Sequence, residues 1–307
     1  MTTQGPISPD NLGIVLPHEH LILQGWDHTE RNYFNSAYME LVHFTGNAGK
    51  TIVDLSSIGM KRDIAFVHRL ANHASIQLII GTGFYKQAWV PQEMCKLGEE
   101  ELANLMVQEI IEGVDDSGIH AGVIGELGIS RPITTFEEKV LRAAAMAQKE
   151  TGAAMFLHFD IGNEVSEYLH VLNILKKAKA NLLKVAVCHL ISSPRYLELI
   201  LELSRWGCML EFDLFGQYVR HYMKEMMRTH EDVQLSSIRG FLGKGLIGQM
   251  LVSQNVNHID LMTVNGGEGY GYLLKKGKQR FIDYGIKEED IHTMMVENPK
   301  ILLRLEC

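Results

Sequence analysis

Two histidines and a glutamate close an apolar run in "GIVLPHEHLIL", residues 13–23. In an extended chain successive side chains point to opposite faces, so His18 and His20 share one face and Glu19 takes the other. Two neutral imidazoles converging on one side suit a divalent cation, whose ligand atoms sit about 2 Å away. Other apolar runs end in the same way. Glu126 closes "AGVIGELG" (121–128), His158 closes "AMFLHFD" (154–160), His189 closes "KVAVCHL" (184–190) and Asn255 closes "QMLVSQN" (249–255). A single histidine at a strand end is ordinarily a satisfied structural group. Four of them with a carboxylate on one rim would cost several kcal/mol in desolvation if left unpaired. A bound metal accounts for all of them together.

The elements that must carry these residues follow from the same runs. With "TIVDLSS" (51–57), "IQLIIGTG" (76–83) and "MLEFDLFG" (209–216) they make eight, most of them continuously apolar, as in a parallel sheet buried on both faces. Pro17 is expected to end the first strand at Leu16, since it cannot donate to a ladder. Helical patterns lie between the runs. Residues 99–117 repeat Leu102, Leu105, Met106 and Ile110 and stop near Gly118. Residues 134–152 offer Thr134 or Thr135 as a cap and Gly152 as a stop, and 193–207 offer Ser193, Pro194 and Gly207 in the same roles. Strict alternation predicts a closed (β/α)₈ TIM barrel, a single α/β domain over 1–307, with its chemistry at the C-terminal ends of the strands. An open doubly wound sheet would show a glycine-rich phosphate loop after its first strand. "GGEGYG" (266–271) has neither that place nor that spacing.

Composition narrows the class. Of 307 residues, 46% are hydrophobic, enough for a full core, and 21% are charged. A net charge of −8 argues against nucleic-acid and anionic-membrane partners. No apolar run approaches the roughly 20 residues of a membrane span, and "MTTQGPISPD" lacks a signal-sequence pattern. Cys95, Cys188, Cys208 and Cys307 show neither metal spacing nor a paired framework, which suits a reducing, cytoplasmic setting. His68, His73 and His230 fall on helical stretches and read as surface residues.

The chain resembles the phosphotriesterase-like branch of the amidohydrolase superfamily. The likeness runs through "LPHEHL", "VDLSSIGMKRD", "GTGFY", "GELGIS", "EEKVLRAAAMAQKETG", "LHFD", "CHL", "EFDLFG", "SQN", "NGGEGY" and "ENP". It implies a barrel with two divalent cations, zinc first and manganese or cobalt as alternatives. His18 and His20 would hold the buried ion, His158 and His189 the exposed one, with Glu126 bridging. Many relatives carry a carbamylated lysine where this chain has Glu126, which supplies a carboxylate pair directly. The family's last-strand aspartate, a metal ligand and general base, is replaced by Asn255. An asparagine keeps a carbonyl oxygen for weak ligation but has no proton-accepting state near neutral pH. Three readings stay open: an introduced isosteric exchange, a natural member with another base, and a member that binds without turnover.

The resemblance implies a binuclear metal-dependent hydrolase with metal-bound hydroxide as nucleophile. The expected substrate is a small molecule, a lactone and in particular a sugar or phosphosugar lactone. An amide or phosphoester hydrolase of the same superfamily and a metal-binding sensor are the alternatives. Tyr85, after the third strand, and Tyr270, Lys275 and Arg280, in or after the loop following the eighth, are the expected substrate contacts, with Lys276 in the same basic run. Arg62 is as well placed for a salt bridge as for substrate. A homodimer is left open.

Overall fold

The computed structural model describes residues 1–25, 27, 29, 31–160, 163–190, 194–217 and 224–305, without side chains for 31, 194–196 and 224–230. Ser193, the His230 side chain and Cys307 lie outside what is described. Eight strands pair in parallel and in chain order: β1 Ile14–Glu19, β2 Gly49–Asp54, β3 Gln77–Thr82, β4 Val123–Ile129, β5 Ala154–Phe159, β6 Val185–Val187, β7 Met209–Phe212 and β8 Met250–Val252. Helices α1 Arg31–Gly46, α2 Ile64–Ala74, α3 Glu99–Ile111, α4 Thr135–Thr151, α5 Val165–Lys177, α6 Pro194–Arg205 and α7 Lys224–Leu242 fill the connections. A C-terminal group of short helices from Leu273 onward, including α8 Lys278–Asp283, completes the ring. The molecule is a single (β/α)₈ barrel.

Period-two alternation sorts its strands. Val15, Val53, Ile79, Val123, Ala154, Phe156, Ala186, Met209 and Leu251 fill the barrel interior. Their neighbours Leu16, Ile52, Leu78, Ile80, Ile124, Met155, Leu157 and Leu210 pack outward against the helices. Caps fall where the sequence placed them on α4: Thr134 accepts from the Glu137 N–H, Glu137 answers in a capping box, and Gly152 takes the left-handed conformation. Helix α3 stops at Ile111, earlier than the expected 117, with Gly113 at φ 116°.

β1 corrects an expectation. It does not stop at Leu16 but runs through Pro17 to Glu19, with a register shift against β2 between Leu16 and Glu19. The shift absorbs the missing N–H, and the next amide, that of His18, donates to the Ser253 hydroxyl (3.1 Å) instead of to a strand. The seam between the first and last strands is closed by side chains. Glu19 accepts from the Ser253 hydroxyl (2.8 Å), the Gln254 N–H (2.9 Å) and the Val256 N–H (2.7 Å), while the Asn255 N–H donates to the His18 carbonyl (3.1 Å).

Candidate metal centre

The five strand-end side chains converge at the C-terminal mouth around one carboxylate. Glu126 Oε1 lies 3.4 Å from His18 Nε2 and 2.8 Å from His189 Nε2 and is hydrogen-bonded to His158 Nδ1. Its Oε2 faces His20 Nε2 at 3.9 Å. His189 Nε2 and His158 Nδ1 are 2.8 Å apart. His18, His20, Glu126 and His189 are buried, whereas His158 keeps 15% of its side chain exposed. Two overlapping ligand sets result, His18–His20–Glu126 and Glu126–His158–His189.

Divalent cations fit these residues. The buried Nε2 of His18 has no hydrogen-bond partner although it faces the Glu126 carboxylate at 3.4 Å, an orphaned polar atom that a cation between the two would satisfy. The other nitrogens are oriented from behind, as metal-binding imidazoles require. His20 Nδ1 meets the Ser56 hydroxyl at 3.0 Å, and His18 Nδ1 meets Glu211 Oε2 at 3.0 Å and Asp213 Oδ2 at 3.2 Å. His189 Nδ1 meets Asp213 Oδ2 at 3.0 Å, and the His189 N–H donates to the same oxygen at 3.1 Å.

Electrostatics sharpen the picture. Burial would raise the Glu126 carboxyl, but the His158 and His18 imidazoles hold it well below the usual range, so it stays anionic. Burial pushes His20 down to about 4 against the pull of Glu126, which leaves it neutral and ready to ligate. Burial also opposes charge on His189, yet the Asp213 carboxylate beside it carries it up to about 9. His18 is raised well above its ordinary value; burial opposes the shift, and Cys188, Asp213 and Glu126 drive it.

Asn255 sits at the rim as expected, 5% exposed and in the left-handed region at φ 46°. Its Nδ2 lies 3.4 Å from His189 Nδ1, the nitrogen that Asp213 also contacts. Asp213, at the end of the neighbouring strand, thus puts a carboxylate beside the same nitrogen. Glu211, Asp213 and Cys188 form a further buried group around His18, and sequence reading missed it. The signal was there: 209, 211 and 213 alternate inward from Met209.

The expected substrate contacts separate. Tyr85 joins the centre, its hydroxyl 3.1 Å from His158 Nε2. Tyr270 is 1% exposed and donates its hydroxyl to the His20 carbonyl at 2.6 Å, so it braces the chain just after β1. Lys275 is exposed, Lys276 pairs with Glu268 (2.8 Å), and Arg280 is held by Glu231 (3.2 Å) and by Asp232. The structure does not gather this basic run at the metal centre. Arg62 pairs with Glu109 of α3 at 2.9 Å.

The family model described as the phosphotriesterase family matches residues 1–303. N-acetyltaurine hydrolase of Homo sapiens is 28% identical over 336 residues, spanning 97% of this chain and 96% of that protein. The Dictyostelium discoideum N-acetyltaurine hydrolase is 30% identical over 276 residues, spanning 89% of this chain and 74% of its own. In structure, the chain is similar to the phosphotriesterase homology protein from Escherichia coli complexed with phosphate in its active site. That likeness has a TM-score of 0.84 and 26% identity, covering 96% of this chain and 100% of the other. Barrel, strand-end ligands and whole-length match agree: the chain belongs to the phosphotriesterase family, a family of binuclear metal-dependent hydrolases.

Proposed function

We propose that this chain hydrolyses a small N-acyl amide at its carbonyl carbon, with two divalent cations held by His18, His20, Glu126, His158 and His189. The observation that carries the reading is the convergence of four imidazoles on Glu126 at the barrel mouth, with the buried His18 Nε2 unpartnered. The amide class is supported by the relatives named N-acetyltaurine hydrolase. The lactone class expected from the sequence uses the same attack at a carbonyl and differs in the leaving oxygen. When bound, the cations supply an acidified water and a Lewis acid for the carbonyl oxygen.

This chain's own residues set the remaining terms. Glu126 stays anionic between the two sets and holds them at one spacing. Asp213 orients His18 and His189 from behind, fixing which nitrogen of each faces the mouth. Tyr85 places a phenol beside His158, the most exposed of the four imidazoles. Asn255 orients but takes no proton at neutral pH.

Binding without turnover is the second reading, and Asn255 is the residue that favours it. One experiment separates the two: elemental analysis of purified protein with a panel of N-acetyltaurine, other N-acyl amides, lactones and phosphoesters, run on the chain and on Asn255→Asp. Close to two ions per chain with acetate release from an amide supports the proposal. Metal without turnover in either form leaves the binding protein as the account.

A further inference from the structure

Beside the metal centre, a cation lies at its open side. The β3–α3 connection carries Tyr85 and Lys86 past His158. It is pinned from three directions: the Tyr85 N–H donates to the Ile58 carbonyl (2.8 Å), the Gly128 N–H to the Phe84 carbonyl (3.2 Å), and the Gln87 N–H to Glu137 (3.1 Å). Gly128 lets this segment lie against β4, because a Cβ there would meet the Lys86 backbone nitrogen at 2.3 Å. The Lys86 ammonium stands 5.5 Å from the Tyr85 ring centroid and is paired with Asp160, whose Oδ1 is 3.8 Å from His158 Nε2. Its side chain is 14% exposed, whereas that of Asp160 is 46% exposed. The cation is fixed and its counter-ion faces water.

We infer that Lys86 is a specificity-determining residue that binds the acid group of the substrate in place of Asp160. The inference rests on the amide reading above and names its substrate class: an N-acyl amine with a sulfonate or carboxylate two carbons from the nitrogen. The pair is lopsided: Asp160 faces water and Lys86 does not, so the carboxylate is the partner that can turn away. Asp160 can turn to water, while the ammonium, shielded and stacked on Tyr85, keeps its place and exchanges one anion for another without leaving a buried charge unpaired. Among the described residues, the basic run at 275–280 does not take this role, since Lys276 and Arg280 are spent on Glu268, Glu231 and Asp232.

The test is calorimetric binding of three ligands to the metal-loaded chain: N-acetyltaurine, N-acetyl-β-alanine and N-ethylacetamide, which share the amide and carry a sulfonate, a carboxylate and no acid. Acetate release is followed separately. The chain should bind at least one acid about 10-fold more tightly than the neutral amide, and which of the two wins tells sulfonate from carboxylate. Lys86→Met should erase that preference, Lys86→Arg should keep it, and Asp160→Asn should raise acid affinity severalfold by removing the competitor. Thermal melts establish that each variant is folded. Equal binding of acids and neutral amide by the parent, or an equal loss of all three in Lys86→Met, overturns the assignment. Acid preference through Lys86 with no acetate released keeps it and removes the hydrolase reading instead.

Discussion

Asn255 and the buried histidines are where single atoms decide the chemistry. A carboxylate at 255 would supply a proton acceptor, worth about 10²–10⁴ in rate. Asn255→Asp should therefore raise kcat on the best amide by at least about 10²-fold with little change in substrate affinity, read by steady-state kinetics. An unchanged rate from an already fast parent would assign the base to another group. Glu126→Gln should lower metal content, since an amide oxygen ligates less well than a carboxylate, and added bicarbonate should leave the parent unchanged. His189 gives a pH signature. Its metal-free pKa, raised to about 9, means that its charged form is the one the fold favours. That stabilisation is full below about 6.5 and is lost as pH rises through about 9. Metal must displace this proton, so affinity should climb with pH up to about 9, with proton release measured by calorimetry in buffers of different ionisation heat. The six strand-end residues were legible because each interrupts an apolar run. Lys86 was not, because a lysine after a tyrosine in a loop carries no period.

At the scale of elements, the seam between β1 and β8 is the weak place and the informative one. The last strand has three residues, and its ladder to β1 is replaced by the Glu19 carboxylate with its three donors. Glu19→Gln would turn an NH₂ group toward donors that need an acceptor. It should cost about 2–4 kcal/mol, seen as a lower denaturant midpoint, and weaken metal retention because Asn255 and His18 share that seam. The sequence showed eight strand–helix units and the alternation of His18 and His20. It could not show that Glu19, taken only as the residue facing the other way, closes the barrel, because its partners lie 234–237 positions along the chain. Pro17 misled for a physical reason: a proline is excluded from a regular ladder, and β1 accommodates it by slipping register. Glu211 and Asp213 were hidden inside a run that reads as an ordinary strand until its inward parity is counted.

For the whole molecule, cations held by these residues would join metal binding to folding in one equilibrium. The ligands come from β1, β4, β5 and the end of β6, so an ion links distant parts of one ring. Chelation should lower the melting temperature by several degrees, since ligand at 100 times its Kd contributes about 2.7 kcal/mol. Calorimetric scans with and without chelator check this; identical midpoints would place the ions outside the fold's cooperative unit. The long separation of the seam also orders events at birth. At about 5–20 residues per second, roughly ten to fifty seconds pass between the emergence of His18 and that of Ser253, 235 positions later. Glu126, His158 and His189 are all synthesised before β8 exists. Both candidate ligand sets are thus made, by His189, while Glu19 still lacks the Ser253 and Gln254 donors that join β1 to the end of β8.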